Sequence, residues 1–261
     1  MKESHTLNLI FLFFIFLLFA QTSAISQTIC VTENVSLTNQ TAVDDFVAMH
    51  SSASCNTIVG NLSISGSIFI ADAITDISGL SFLTTIDGNL SINQDNLVNL
   101  NGFQNLQTVS GSLSITNNDA LTSIAELANL QTVSQTFSIS SNAALTSLAT
   151  LTNLRTIGND FRIISNPLIT SLDGIQFVTD IGTELEIRNN DALADCSAAC
   201  TLINNNIAAR YDIRNPFAPC TSTLAITIAC LPDGSTYYKE RIAATHTRWA
   251  SDDFVAECIS Q

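Results

Sequence analysis

GSLSITNNDALTSIAELANLQTVSQTFSIS, residues 111 to 140, holds one phrase twice. Gly111-Ser112-Leu113-Ser114-Ile115 returns 24 residues later as Gln135-Thr136-Phe137-Ser138-Ile139. Each copy alternates apolar and polar residues, the period of a short strand with Leu or Phe and Ile turned inward. Between the copies an apolar residue stands at every third position: Leu121, Ile124, Leu127, Leu130 and Val133. That beat is too tight for the face of a long α-helix. It suits short extended or 3₁₀-like segments turning round a core.

The phrase recurs along the chain as Leu62-Ser-Ile64, Leu90-Ser-Ile92, Leu113-Ser-Ile115, Phe137-Ser-Ile139, Phe161-Arg-Ile163 and Leu185-Glu-Ile187. The spacings are 28, 23 and then 24 three times, and the three-residue beat returns between the copies. A steady period of this length is the mark of a solenoid, with equivalent strands about 4.8 Å apart in a parallel sheet. The extra residues of the first copy predict a loop near Gly66 to Asp72. Asn118, Asn142, Asn166 and Asn190 each lie five residues after the first strand residue. Asn favours turns in any case. Strict recurrence points further, to a structural ladder of amides that satisfy the backbone at the turn.

A single coil cannot offset the entropy of ordering itself, so coils share a core and the terminal ones need lids. At the front, Thr41-Ala-Val-Asp44 reads as a capping box with Asp in place of Glu, opening a short helix with Val43, Phe46 and Val47 on one side. At the back, residues 196–205 read as a short helix and Tyr211-Asp-Ile213 as a last strand. The predicted division is a signal peptide over 1–24, an N-terminal cap over 25–59, solenoid repeats over 60–195, a C-terminal cap over 196–230 and a tail over 231–261. In the tail, Asp252-Asp-Phe-Val-Ala256 copies Asp44-Asp-Phe-Val-Ala48, either by chance or as a truncated second cap.

The 12-residue apolar run Leu9 to Ala20 is too short to span a bilayer comfortably, and small residues at Thr22-Ser23-Ala24 suit cleavage. A secretory signal peptide cut after Ala24 is expected, the other reading being an uncleaved anchor. No transmembrane segment is expected after cleavage. Export places the cysteines where disulfides persist. Cys30 and Cys55 precede the repeats; Cys196, Cys200, Cys220, Cys230 and Cys258 follow them. They read as staples at two ends, with Cys30 joined to Cys55 and the C-terminal connectivity open. Cys258 is the odd thiol. Cys196-x3-Cys200 lacks a second half for zinc, so no metal is expected.

These residues resemble the receptor L-domain family, the leucine-rich-repeat-like secreted β-helix of insulin and epidermal growth factor receptor ectodomains. Cys55-Asn-Thr-Ile-Val-Gly60-Asn-Leu-Ser-Ile64 looks like that family's entry, and residues 80–92 look like its repeat. The resemblance covers about residues 30 to 230. It implies a mainly β fold, a right-handed parallel β-helix or leucine-rich-repeat-like solenoid of about six coils with disulfide-stapled caps. No kinase or furin-like segment follows, so receptor signalling does not carry over, and no ligand residue is transferred.

A net charge of −14 repels nucleic acid, which is excluded as a partner. No phosphate loop, nucleophile elbow or paired metal motif occurs, so neither a catalytic residue nor a cofactor is expected. Glu184 and Glu186 face one side of a strand with Arg162 and Arg188 beside them; a solvated face is the simpler reading than a carbohydrate-cleaving site. The outward strand positions make the ligand-facing candidates: Asn89, Ser91, Asn93, Ser112, Ser114, Thr116, Thr136, Ser138 and Ser140, then Arg162 and Glu186. The expected role is a non-catalytic binding or adhesion module, secreted or on a cell surface, for an extracellular protein or glycan. Its rivals are a carbohydrate-cleaving enzyme and a structural spacer. Ordering of water against ice is disfavoured by the lack of a regular Thr-x-Thr column. Four N-glycosylation sequons, Asn34, Asn39, Asn61 and Asn89, would be occupied only in a eukaryotic secretory route.

Overall fold

The computed structural model describes residues 28–223, apart from residues 53, 67–70, 95 and 216–219. The expected signal peptide, Cys230, Cys258 and the 231–261 tail lie outside the described residues. Strands are numbered in chain order. The recurring phrase forms β4 (Leu62–Ser65), β6 (Leu90–Asn93), β8 (Leu113–Thr116), β10 (Phe137–Ser140) and β12 (Phe161–Ile164), preceded by β2 (Val35–Leu37). They pair in parallel, each with its equivalent one coil away.

A second parallel ladder runs beside the first. It comprises β1 (Ile29–Val31), β3 (Thr57–Val59), β5 (Thr85–Asp87), β7 (Thr108–Val109), β9 (Thr132–Val133) and β11 (Thr156–Ile157). β13 (Asp180–Arg188) is long enough to belong to both ladders and joins them into one 14-stranded sheet; β14 (Ala208–Arg214) pairs with it. The fold is therefore mainly β, a parallel solenoid-like sheet. The three-residue beat alone predicts no strands here, because two-residue strands such as Thr108–Val109 show no alternation. The last apolar residue of each beat, among them Ile86, Val109, Val133, Ile157 and Ile181, is the inward residue of this second ladder.

Register turns the sequence repeat into columns. Ile64, Ile92, Ile115, Ile139, Ile163 and Ile187 stack in one buried column, extended by Leu37 and Ile213. Beside it, Phe137 and Phe161 replace Leu and stack with ring centroids 5.3 Å apart and planes 12° apart. The remaining side of the coil is built from turns and from 3₁₀ segments at Ser78–Phe82, Ala125–Asn129 and Ile175–Phe177, which bury Leu80, Leu127 and Ile175. Side-chain amides clasp these turns to one another: Asn105, Asn129 and Asn153 donate through Nδ2 to the carbonyls of Ser81, Gln104 and Ala128.

Coils approach closely at the corner between the ladders. A Cβ placed on Gly158 would lie 2.0 Å from the Ser134 carbonyl oxygen, and one on Gly182 1.9 Å from that of Gly158. The obstacle is backbone held by the ladders, so it cannot turn aside. Gly158→Ala is expected to lower the unfolding free energy by about 1–3 kcal/mol, the usual range for overpacking, read from the denaturant midpoint. An unchanged midpoint would show that the corner yields.

The front lid is helix α1 (Gln40–His50), which buries Val43 and Phe46 and leaves Val47 partly buried. Its cap differs from the expected box at Thr41. Asn39 is the N-cap, with Oδ1 accepting from the Ala42 N–H at 2.8 Å. Thr41 lies inside the first turn, where its N–H donates to Asp72 Oδ2 at 3.2 Å. Either residue has a polar side chain, and Asn39 caps because its backbone is extended, the conformation an N-cap requires. Cys30 and Cys55, on either side of this helix in the chain, are disulfide-bonded, with Cα atoms 5.1 Å apart.

At the back, α2 (Ser197–Asn204) packs on the last coil, and Cys196 bonds to Cys220; Cys200 is disulfide-bonded as well. Asp195 accepts from the Ser197 N–H at 2.9 Å, a bond that holds its carboxyl below the ordinary range. The Tyr211 hydroxyl accepts from the Ala208 N–H and donates to the Leu202 carbonyl, tying β14 to α2. Burial raises its pKa above the usual phenol value.

Candidate binding face

The turn after each strand of the first ladder is held from within. Asn118, Asn142, Asn166 and Asn190 are fully buried. Asn142 Nδ2 donates to the carbonyls of Ile115 and Ser140 and to Asn166 Oδ1, and its Oδ1 accepts from both the N–H and Nδ2 of Asn118. Asn166 and Asn190 repeat the pattern, and Asn215 continues it past β14. The residue before each of the first four has a positive φ of 55° or 56° (Asn117, Ser141, Ser165, Asn189). One coil earlier the spacing is a residue shorter, and Gln94 takes the place of Asn. Its N–H donates to Asn118 Oδ1 and its longer side chain reaches the Ile74 carbonyl, leaving Gln94 Oε1 buried without a partner.

This rigid turn fixes the outward side chains of the ladder. Ser36, Ser63, Ser91, Ser114 and Ser138 stand in register in one column, continued by Arg162, Glu186 and Asp212. A parallel column carries Thr116, Ser140, Ile164, Arg188 and Arg214. Within a strand the hydroxyls face each other: Ser114 and Thr116 oxygens are 3.5 Å apart, those of Ser138 and Ser140 3.4 Å. The face therefore passes from a neutral hydroxyl strip to a charged field.

The charged field has its own order. Arg162 bonds Asp160 at 2.6 Å, Arg188 bonds Asp212, Arg214 lies 2.8 Å from Asp212, and Arg210 grips both Glu184 oxygens at 2.8 and 2.9 Å. This pairing raises the Arg210 pKa. Glu186 sits between Arg162 Nε at 3.2 Å and Arg188 Nε at 3.1 Å, close enough for attraction although those N–H groups are not aimed to hydrogen-bond it. Thr183 donates to Asp160. Four arginines thus meet four carboxylates, so the patch is neutral in a chain of net charge −14. The arginine side chains are 33–71% exposed and the carboxylates 10–20%, so guanidinium groups form the outer surface. Pairs this exposed contribute little to stability; their effect is to hold the guanidinium planes in place.

Of the residues singled out in the sequence, Ser91, Ser114, Ser138, Arg162 and Glu186 share a column, and Thr116 and Ser140 share the next. Asn93 is exposed at the strand end. Ser112 lies 3.4 Å from the Gln135 side chain, and Thr136 is half-buried at the strand entry. Asn89 is engaged at a corner, where Asn34, Asn61 and Asn89 accept through Oδ1 from the N–H groups of Asn61, Asn89 and Ser112 in turn. Arg210, Asp212 and Arg214 were missing from the candidates, although the strand at Tyr211-Asp-Ile213 already set their outward direction. Among the described residues, no group of three or more His, Cys, Asp or Glu could hold a metal ion, and no helix is long and apolar enough to cross a membrane.

Residues 54–124 match the family model described as the receptor L domain, so this part of the chain is similar to that family. That description points to an extracellular ligand-binding module. The same register continues beyond the matched residues through β14. No curated protein and no solved structure matches the chain significantly.

Proposed function

We propose that this chain, similar to the receptor L domain over residues 54–124, is a secreted or cell-surface binding module for an extracellular protein or glycan, and that its contact surface is the outward face of β8, β10, β12, β13 and β14. The observation that carries this reading is the ordered guanidinium field. Four of the five lysines and arginines among the described residues lie on this one face. The fifth, Arg155, is spent on the Thr152 and Leu154 carbonyls and lies 5.8 Å from the Phe177 ring centre. Fixed guanidinium planes offer forked donors for carboxylate, sulfate or hydroxyl acceptors at little entropic cost. The adjoining hydroxyl strip supplies uncharged hydrogen-bonding groups.

The same contacts disfavour the carbohydrate-cleaving alternative. Glu184 and Glu186, the paired carboxylates such a reaction would need, both face arginines. The test is a screen of the full chain on glycan arrays and extracellular protein libraries, repeated with Arg162→Ala/Arg188→Ala/Arg214→Ala. The triple variant is expected to weaken the ligand found by about tenfold or more, roughly 1.4 kcal/mol. Undiminished binding would place the contact elsewhere, and turnover of a polysaccharide lost in Glu184→Gln would favour the enzyme.

A further inference from the structure

We propose that Asn34, Asn61 and Asn89 are N-glycan attachment sites stacked along one corner of the solenoid, with Asn39 on the adjoining cap as a fourth. The inference rests on the extracellular reading and extends it to a modification that limits where the partner binds. All four residues begin the motif Asn-x-Ser/Thr. The motif arises from the solenoid's own period. In Gly60-Asn-Leu-Ser63 and Gly88-Asn-Leu-Ser91, Asn turns the corner, Leu enters the core and Ser points outward. Registry of the strands that follow sets the three corner residues one coil apart, about 4.8 Å.

Side-chain bonding separates these asparagines from those of the buried ladder and of the turn clasps. In each of the four, Oδ1 accepts a backbone N–H, while Nδ2 donates to no group among the described residues. Asn34, Asn61 and Asn89 are exposed. The opposite holds in the buried ladder and the turn clasps. Asn118, Asn142, Asn166 and Asn190 spend Nδ2 on carbonyls inside the wall, as Asn105, Asn129 and Asn153 do on the outer turns. None of those seven begins the motif. Thus, among the described residues, Nδ2 makes no hydrogen bond at the motif asparagines and is committed in the ladder and the clasps. The bond to Oδ1 also fixes the amide, so a glycan on Nδ2 projects outward without disturbing the corner.

The modification joins Asn Nδ2 to the anomeric carbon of a lipid-linked oligosaccharide pyrophosphate. The N–C bond forms, the bond from that carbon to the pyrophosphate oxygen breaks, the lipid pyrophosphate leaves and Nδ2 loses one proton. Ser112 and Thr136 replace Asn at the next two corners, so the carbohydrate ends there. It screens the start of the serine column and leaves the arginine field open.

The experiment expresses the full chain in a eukaryotic secretory cell and treats the exported protein with a peptide N-glycosidase in heavy-oxygen water, which turns a glycan-bearing Asn into labelled Asp. Label is expected at two or more of Asn34, Asn61 and Asn89, and its loss position by position in Ser36→Ala, Ser63→Ala and Ser91→Ala, which keep the Asn Oδ1 bonds. Exported protein with label at fewer than two of the three overturns the stacked column. A chain retained inside the cell and unmodified overturns the extracellular reading, and the proposal with it.

Discussion

Asn142→Ala is expected to lower the unfolding free energy by about 2–6 kcal/mol. The substitution removes the acceptor of two buried donors, the N–H and Nδ2 of Asn118. Each buried donor left unpaired costs about 1–3 kcal/mol. The Ile115 and Ser140 carbonyls lose a donor as well. No neighbouring side chain can replace the amide, because Asn118 and Asn166 are committed to their own coils. The control is Asn153→Ala, which removes one exposed clasp to the Ala128 carbonyl and is expected to cost about 1 kcal/mol. Chemical denaturation of the two variants checks the contrast; equal, small losses would show that the inner amides contribute no more than surface ones.

Phe137→Ala is expected to cost about 3–5 kcal/mol, the range for an aromatic side chain deleted from a core. Phe137 is fully buried, stacked on Phe161 and in register with Leu113 on its other side. The strands on both sides are pinned by ladder hydrogen bonds, which limits collapse into the cavity. The site also lies mid-solenoid, where each coil is stabilised chiefly by its neighbours. Weakening one interface there is expected to broaden the unfolding curve as well as shift it. A shift below about 1 kcal/mol with unchanged steepness would contradict the shared core.

The parts of this fold legible in the sequence are those that repeat. Leu113, Ile115, Phe137 and Ile139 announce one ladder because two inward residues flank one outward residue in every copy. The second ladder escapes the same test, since Thr132–Val133 offers a single inward residue that reads as one more beat. Gln94 hides in a one-residue deletion: the αL residue found at Asn117, Ser141, Ser165 and Asn189 has no counterpart before it, so the side chain lengthens instead. At the front cap, residue types allow either Thr41 or Asn39 to start the helix, and only backbone conformation decides between them. The face was legible as a set of outward positions. Its pairing was not, because Arg188 meets Asp212, and Arg210 meets Glu184, only once register is fixed across segments 24 and 26 residues apart.

Coils stack in register, so that 24 residues of chain advance the structure by one strand spacing. Nitroxide labels attached without cysteine chemistry at Ser63 and, in turn, at Ser138, Arg162 and Glu186 measure this directly by pulsed electron spin resonance. These positions lie three, four and five strands from Ser63 in the same column. The distances are expected to rise by about 4.8 Å at each step. Distances that stay level, or that jump by more than about 10 Å between successive positions, would contradict the stacked solenoid and the face built on it.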